Sequence, residues 1–148
     1  MINILAGSAL PVVATIDPQT VADAAGATTD VIDFSTLDGA IGVALLGDMA
    51  AETIDFKFYV CDDDGGNGVV IKSATQLAAD AGDNDNTQLV IAVHASELLA
   101  DTADPKRQYG YFKIYTGDAV GGPAACVVLG IDTRYAAMDL ATVQEVVQ

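Results

Sequence analysis

The chain has little of what usually marks an enzyme or a nucleic-acid-binding protein. It contains no tryptophan, one histidine, two cysteines, four prolines and only 6% aromatic residues. Cations are scarce too: six Lys and Arg stand against 21 Asp and Glu, for a formal net charge of −15. Without a basic patch nothing offsets phosphate charge, so no nucleic-acid partner is expected. An acidic surface also repels anionic membranes. No apolar run approaches the roughly 18 residues of a membrane span, so no membrane partner is expected either. The opening residues, MINILAGSALPVVATIDP, lack a basic segment, and Gly7, Ser8 and Pro11 interrupt their apolar stretch. That does not match a secretion signal and predicts a chain that begins soluble and intracellular.

One histidine leaves little for acid–base chemistry. His94 falls on an expected strand next to Val93, and a packing role at or near the surface fits it better than general-base work. No Ser-His-Asp or Cys-His order can be singled out. Any two of 21 acidic residues could be chosen as a glycosidase pair, so that count carries no information. GDAVGG (residues 117–122) lacks the following Lys-Ser/Thr and helix of a phosphate loop. No enzyme and no cofactor are expected. Cys61 and Cys126 each sit in or at the end of an expected strand and read as buried thiols acting as small hydrophobes. A disulfide between neighbouring strands is the alternative. There is no CxxC pair to suggest a metal.

What the chain does have is apolar mass in small pieces. Its 148 residues suit one domain, long enough to bury a core without staples. Hydrophobic residues make up 51%, much of it Ala and Val, and there are 14 glycines. Residues 1–29 read as an N-terminal arm or edge strand, with Val12 to Ile16 pairing and Pro18 ending the strand. Val21 to Ala25 could make one helical turn. From residue 31 the punctuation is regular. Val31 to Phe34 is a short strand, and Ala40 to Leu46, between Gly39 and Gly47, reads as a buried one. Thr53 to Cys61 alternates cleanly, with Ile54, Phe56, Phe58 and Val60 on one face. Val69 to Lys72 and Leu89 to His94 follow, the second leading into a helical turn capped by Ser96. Residues 74–86 read as a long loop. In Tyr109 to Thr116, Tyr109, Tyr111, Lys113 and Tyr115 oppose Gly110, Phe112 and Ile114. Ala124 to Ile131 is the last strong strand. Short strands between Gly/Asp-rich turns predict an all-β antiparallel sandwich, jelly-roll or immunoglobulin-like, over residues 30–138. Residues 139–148 form a C-terminal tail or short helix capped by Asp139, with Leu140, Val143 and Val147 on one stripe that needs a packing partner.

Three features invite binding. Asp62, Asp64 and Asn67 in the DDDGGNG turn offer oxygen ligands for Ca²⁺, but the spacing departs from an EF-hand and the residue types are those of a hairpin turn. Tyr109, Tyr111 and Tyr115, with Tyr59 on a neighbouring strand, could form a subunit interface, stack on sugars, or make ordinary cross-strand pairs. Leu140 and Val143 are the third candidate contact.

The order of segments resembles a group of small proteins encoded near the head genes of tailed phages. It is carried by PVVATIDPQT, by VIDFSTLDGAIGVALLG, by DFKFYVCDDDG and by RQYGYFKIYTGDAVGGPAACVVLGIDTRYAAM, spanning most of residues 10–138. The acidic stretch near residues 74–87 and the tail after Met138 depart from it. The resemblance implies a virion role: a β-sandwich decoration or cement protein on the head surface, often trimeric, whose partners are the major capsid protein and copies of itself. It also implies that residues 1–29 and 139–148 order only on assembly.

Overall fold

A computed structural model describes residues 10–21, 25–48, 54–74, 86–100, 108–116 and 121–133. Among the described residues nine strands run in chain order: β1 (Val12–Val21), β2 (Ala27–Thr28), β3 (Ile32–Asp33), β4 (Leu37–Leu46), β5 (Ile54–Cys61), β6 (Val69–Ser73), β7 (Gln88–His94), β8 (Tyr109–Thr116) and β9 (Gly122–Thr133). A short helix, α1 (Ala95–Ala100), follows β7.

The strands form two antiparallel sheets. The first has the order β1-β9-β4-β7; the second has β2-β8-β5-β6, with β3 also on β8. The pairs β1–β9, β2/β3–β8, β4–β7 and β5–β6 are those of one long hairpin rolled up on itself, a jelly roll. Of the two sandwich types open at the sequence level, this order selects the jelly roll. The acidic turn from Asp62 to Gly68 is the tip of the innermost hairpin.

Strand alternation decides what each sheet offers the core. In β5, Ile54, Phe56, Phe58 and Val60 are fully buried; in β8, Phe112 and Ile114 are too. All four phenylalanines of the chain join one cluster. Phe56 stacks on Phe112 at 5.6 Å, Phe58 tilts against Phe112 at 4.8 Å, and Phe34 meets Phe58 edge-on at 5.6 Å. The first sheet answers with small residues. Ala40, Gly42 and Ala44 of β4 and Ala124, Cys126 and Gly130 of β9 face inward. Large rings on one sheet thus fill the space left by small side chains on the other. The fit is tight at Gly42, where a Cβ atom would lie 2.5 Å from the Phe112 ring.

Two local features depart from the sequence reading. β1 continues through Pro18 to Val21 and remains an edge strand along β9. The register shifts between Ile16 and Gln19, and a proline without an N–H is tolerated at such a bulge. Val21 closes β1 rather than opening a helical turn; residues 22–24 lie outside the described residues. Ahead of β3, Ala27–Thr28 is a further strand, and buried Thr29 joins the two. Its hydroxyl accepts the Phe112 N–H at 3.0 Å, and its own N–H donates to the Phe112 carbonyl at 3.0 Å. A side chain thus keeps buried backbone groups of β8 paired where the ladder breaks.

Gly42→Ala is expected to lower the unfolding free energy by ~1–3 kcal/mol through overpacking against Phe112. A lower urea midpoint at unchanged slope would register it.

Candidate interaction faces

Both sheets turn an outer face away from the core, and the two faces differ in chemistry. The first sheet's outer face is built from cross-strand rows. One row runs Val12–Leu129–Ile41–Ala92, the next Thr15–Val127–Val43–Val90, and a third Ala125–Leu45–Gln88. These rows contain no Asp, Glu, Lys or Arg. Val90 is 56% exposed and Leu45 41%. On β4 and β9, Ile41, Val43, Leu45, Val127 and Leu129 point outward beside Ala125, while Ala40, Gly42, Ala44, Leu46, Ala124, Cys126 and Val128 point in. Up to four strands at ~4.8 Å spacing and five residues at ~3.3 Å rise give these three rows roughly 300 Å² in plan. That is the size of the largest apolar patch on a typical monomer, ~300–600 Å², a patch that is often functional. The sequence reading took Ala40 to Leu46 as buried. Its inward residues are, and its outward residues form the centre of this face.

The second sheet's outer face carries four of the chain's five tyrosines. Its rows run Asp33–Tyr109, then Tyr111–Tyr59–Val70, then Thr28–Lys113–Lys57–Ser73, then Tyr115–Asp55. Tyr59 and Tyr111 stack at 5.0 Å with planes 7° apart. Each ring spends one face on the other and keeps its second face, its edges and its hydroxyl for other contacts. Lys57 donates to the Tyr115 hydroxyl, lies 3.6 Å from Asp55 and sits over the Tyr115 ring, as Lys113 does. The Tyr115 contact, then Asp55, holds the Lys57 ammonium pKa above its ordinary value. Burial, then nearby Tyr115, raises that of Tyr59. The structure thus gathers Tyr109, Tyr111 and Tyr115 on one face with Tyr59. Leu140 and Val143 lie outside the described residues.

The Asp62–Gly68 turn satisfies itself. The Asn67 amide donates to the Asp62 carboxylate at 2.7 Å, and the Gly66 N–H donates to Asp64 at 2.8 Å. Asn67 therefore presents nitrogen, not oxygen, to Asp62. Among the described residues no three His, Cys, Asp or Glu side chains gather as a metal site would require. Cys61 lies in the second sheet and Cys126 in the first; both are buried thiols, and burial pushes Cys126 up to about 12. No described helix is long and apolar enough to cross a membrane.

His94, not Ser96, opens α1. Its N–H donates to the Glu97 carboxylate at 2.8 Å, and its Nδ1 accepts the Ser96 N–H at 3.3 Å. The Glu97 part is the reach-back of a capping box, with a His ring in place of a hydroxyl. The Glu three residues on was the sequence signal for it. Lys72 ties the cap to β6 and β7, meeting Glu97 at 2.8 Å and the Ala92 carbonyl at 2.7 Å.

No family model and no curated protein matches the chain. Among solved structures it is similar to a chain of the Bacillus endospore appendages, a family of disulfide-linked pili, at 14% identity over 89% of this chain and 97% of that one, with a TM-score of 0.44. It is also similar to a chain in the structure of infectious bursal disease virus Gx strain, at 17% identity over 83% of this chain, with a TM-score of 0.37. It spans about a third of that viral chain, 32%. Both TM-scores are too low for either likeness to bear on function.

The backbone hydrogen bond from His94, then Lys72, holds the Glu97 carboxyl below its ordinary pKa. A carboxyl depressed on folding stabilises fully above its unfolded value, ~4.3, and that contribution is lost as pH falls through the lower folded value. The urea midpoint of wild type should exceed that of Glu97→Gln at pH 7, and the two should converge in acid. A gap independent of pH would contradict the assignment.

Proposed function

We propose that the chain is a non-catalytic structural subunit that works by assembling with other protein surfaces, and that its place is the head of a tailed phage, as a decoration or cement protein. The observation that carries the assembly part is the outer face of the β1-β9-β4-β7 sheet. A chain with 21 acidic residues keeps every ionised side chain off three successive rows there, and sets Ile41, Val43, Leu45, Val127 and Leu129 outward. Left in water, such a face loses the stabilisation of ~25 cal/mol per Å² that burial would supply. Covered by the apolar surface of another subunit, it supplies the association energy.

The phage-head part rests on the order of segments described above, from PVVATIDPQT to the Tyr-rich strand and its Gly-rich turn. A decoration protein needs a stiff body with contact faces and no pocket chemistry, and a jelly roll with two differently built outer faces meets that need. On this proposal the partners are the major capsid protein and copies of the chain, as a homotrimer.

Mass spectrometry of purified particles should find the chain at many copies per head, in proportion to the major capsid protein. A handful of copies would point to a connector or tail part instead, and none would reject a virion role.

A further inference from the structure

The second sheet holds an arrangement that assembly through the first does not use. Lys57 and Lys113 are two of only six cations, and they occupy directly opposed positions on β5 and β8. Like charges so placed repel, and opposite charges would stabilise the pair. Asp55 offsets part of this through Lys57, at 3.6 Å. The two rows beyond run Tyr111–Tyr59–Val70 and Asp33–Tyr109–Cys61, and the acidic turn begins at Asp62. From the lysine row, whose far side is the Tyr115–Asp55 row, the face changes sign along the strands: lysines partly offset by Asp55, then a row of stacked tyrosines, then an acidic end. Asp33, Asp63 and Asp64 at that end are exposed. Four residues, or ~13 Å, separate the lysine row from the Asp33–Tyr109–Cys61 row, with the Tyr59–Tyr111 stack midway.

A surface with opposite charges on either side of a central aromatic row is complementary to itself. We infer that two copies of this chain pair face to face through the second sheet. The two-fold axis lies in the interface along the Tyr59–Tyr111 row, so that the acidic turn of each copy lies against Lys57 and Lys113 of the other. A two-fold interface requires this reciprocity, each residue meeting its counterpart twice. Asp62 and Asp64 are held by Asn67 and by the Gly66 N–H, so the turn arrives already shaped. The stacked tyrosines, rimmed by Val70 at 39% exposure, supply the amphipathic centre that protein interfaces favour.

The test is sedimentation of the full chain at physiological salt, where the ~8 Å screening length leaves only contacts within the interface. Wild type should pair two by two, single chains as dimers and any trimer built through other surfaces as a hexamer. Lys113→Glu and Asp63→Lys should each dimerise at least tenfold more weakly. Mixed together they should pair as well as wild type, because one copy's Glu at position 113 then meets the other's Lys at position 63 and the second contact is native. Thermal melting checks the folds, and Lys113→Glu removes a like-charge repulsion, so weaker dimerisation in that variant reports the interface. Three results would each overturn the inference: a wild type that does not pair, a Lys113→Glu variant that dimerises like wild type, or a mixture that fails to pair. None of them touches the apolar face or the copy number in particles, so this pairing can fail while the structural role stands.

Discussion

The packing of Phe56, Phe58 and Phe112 against Gly42 and the alanines of β4 constrains the rest of the molecule. A ring stack on one sheet demands small side chains opposite, and the first sheet supplies them at Ala40, Gly42, Ala44, Ala124 and Cys126. Because side chains alternate along a strand, that leaves the other set of positions on the same strands to point outward. In the middle of β4 and β9 those positions hold Ile41, Val43, Leu45, Val127 and Leu129, with Ala125 beside them. The middle of β4, small on its core side, is therefore bulkier and apolar on its far side, while Leu89, Ile91 and Val93 of β7 and Val128 of β9 reach into the core around it. Ordinary solvated sheets are built the other way round, with polar residues outward.

The second sheet shows the complementary consequence. Its phenylalanines point in, so its intervening positions hold Tyr59, Tyr109, Tyr111, Tyr115, Lys57 and Lys113, all able to meet water. The jelly-roll order places these two unlike faces on opposite sides of one body. One offers an uncharged apolar contact. The other offers hydroxyls, ring edges and a charge pattern that reverses along the strand. A subunit with two distinct contact faces can bind different neighbours through each, as an assembly component must.

Part of this was legible in the sequence. Clean alternation in Thr53–Cys61 and Tyr109–Thr116 gave both strands, their buried faces and the tyrosine face. The outer face of the first sheet was not seen, because both faces of β4 and β9 are apolar and the polar–apolar contrast vanishes. The surviving signal was one of size: Ala-Ile-Gly-Val-Ala-Leu at 40–45 alternates small with large. Pro18 masked the length of β1, since a proline reads as a strand end unless a bulge is known to hold it. The cap on α1 was displaced because a histidine seldom serves as one, while Ser96 is a favoured cap residue. The choice between jelly roll and immunoglobulin-like sandwich lay in long-range pairing, such as Gly42 with Val128, which no local pattern encodes.

The central claim is that the uncharged face of the first sheet is a contact surface. A density map of the assembly containing this chain, at a resolution that places side chains, tests it most directly. The account predicts that Val43, Val127 and Val90 lie beneath apolar side chains of a neighbouring subunit. If that face points to solvent while the chain is held by other surfaces, the account is wrong.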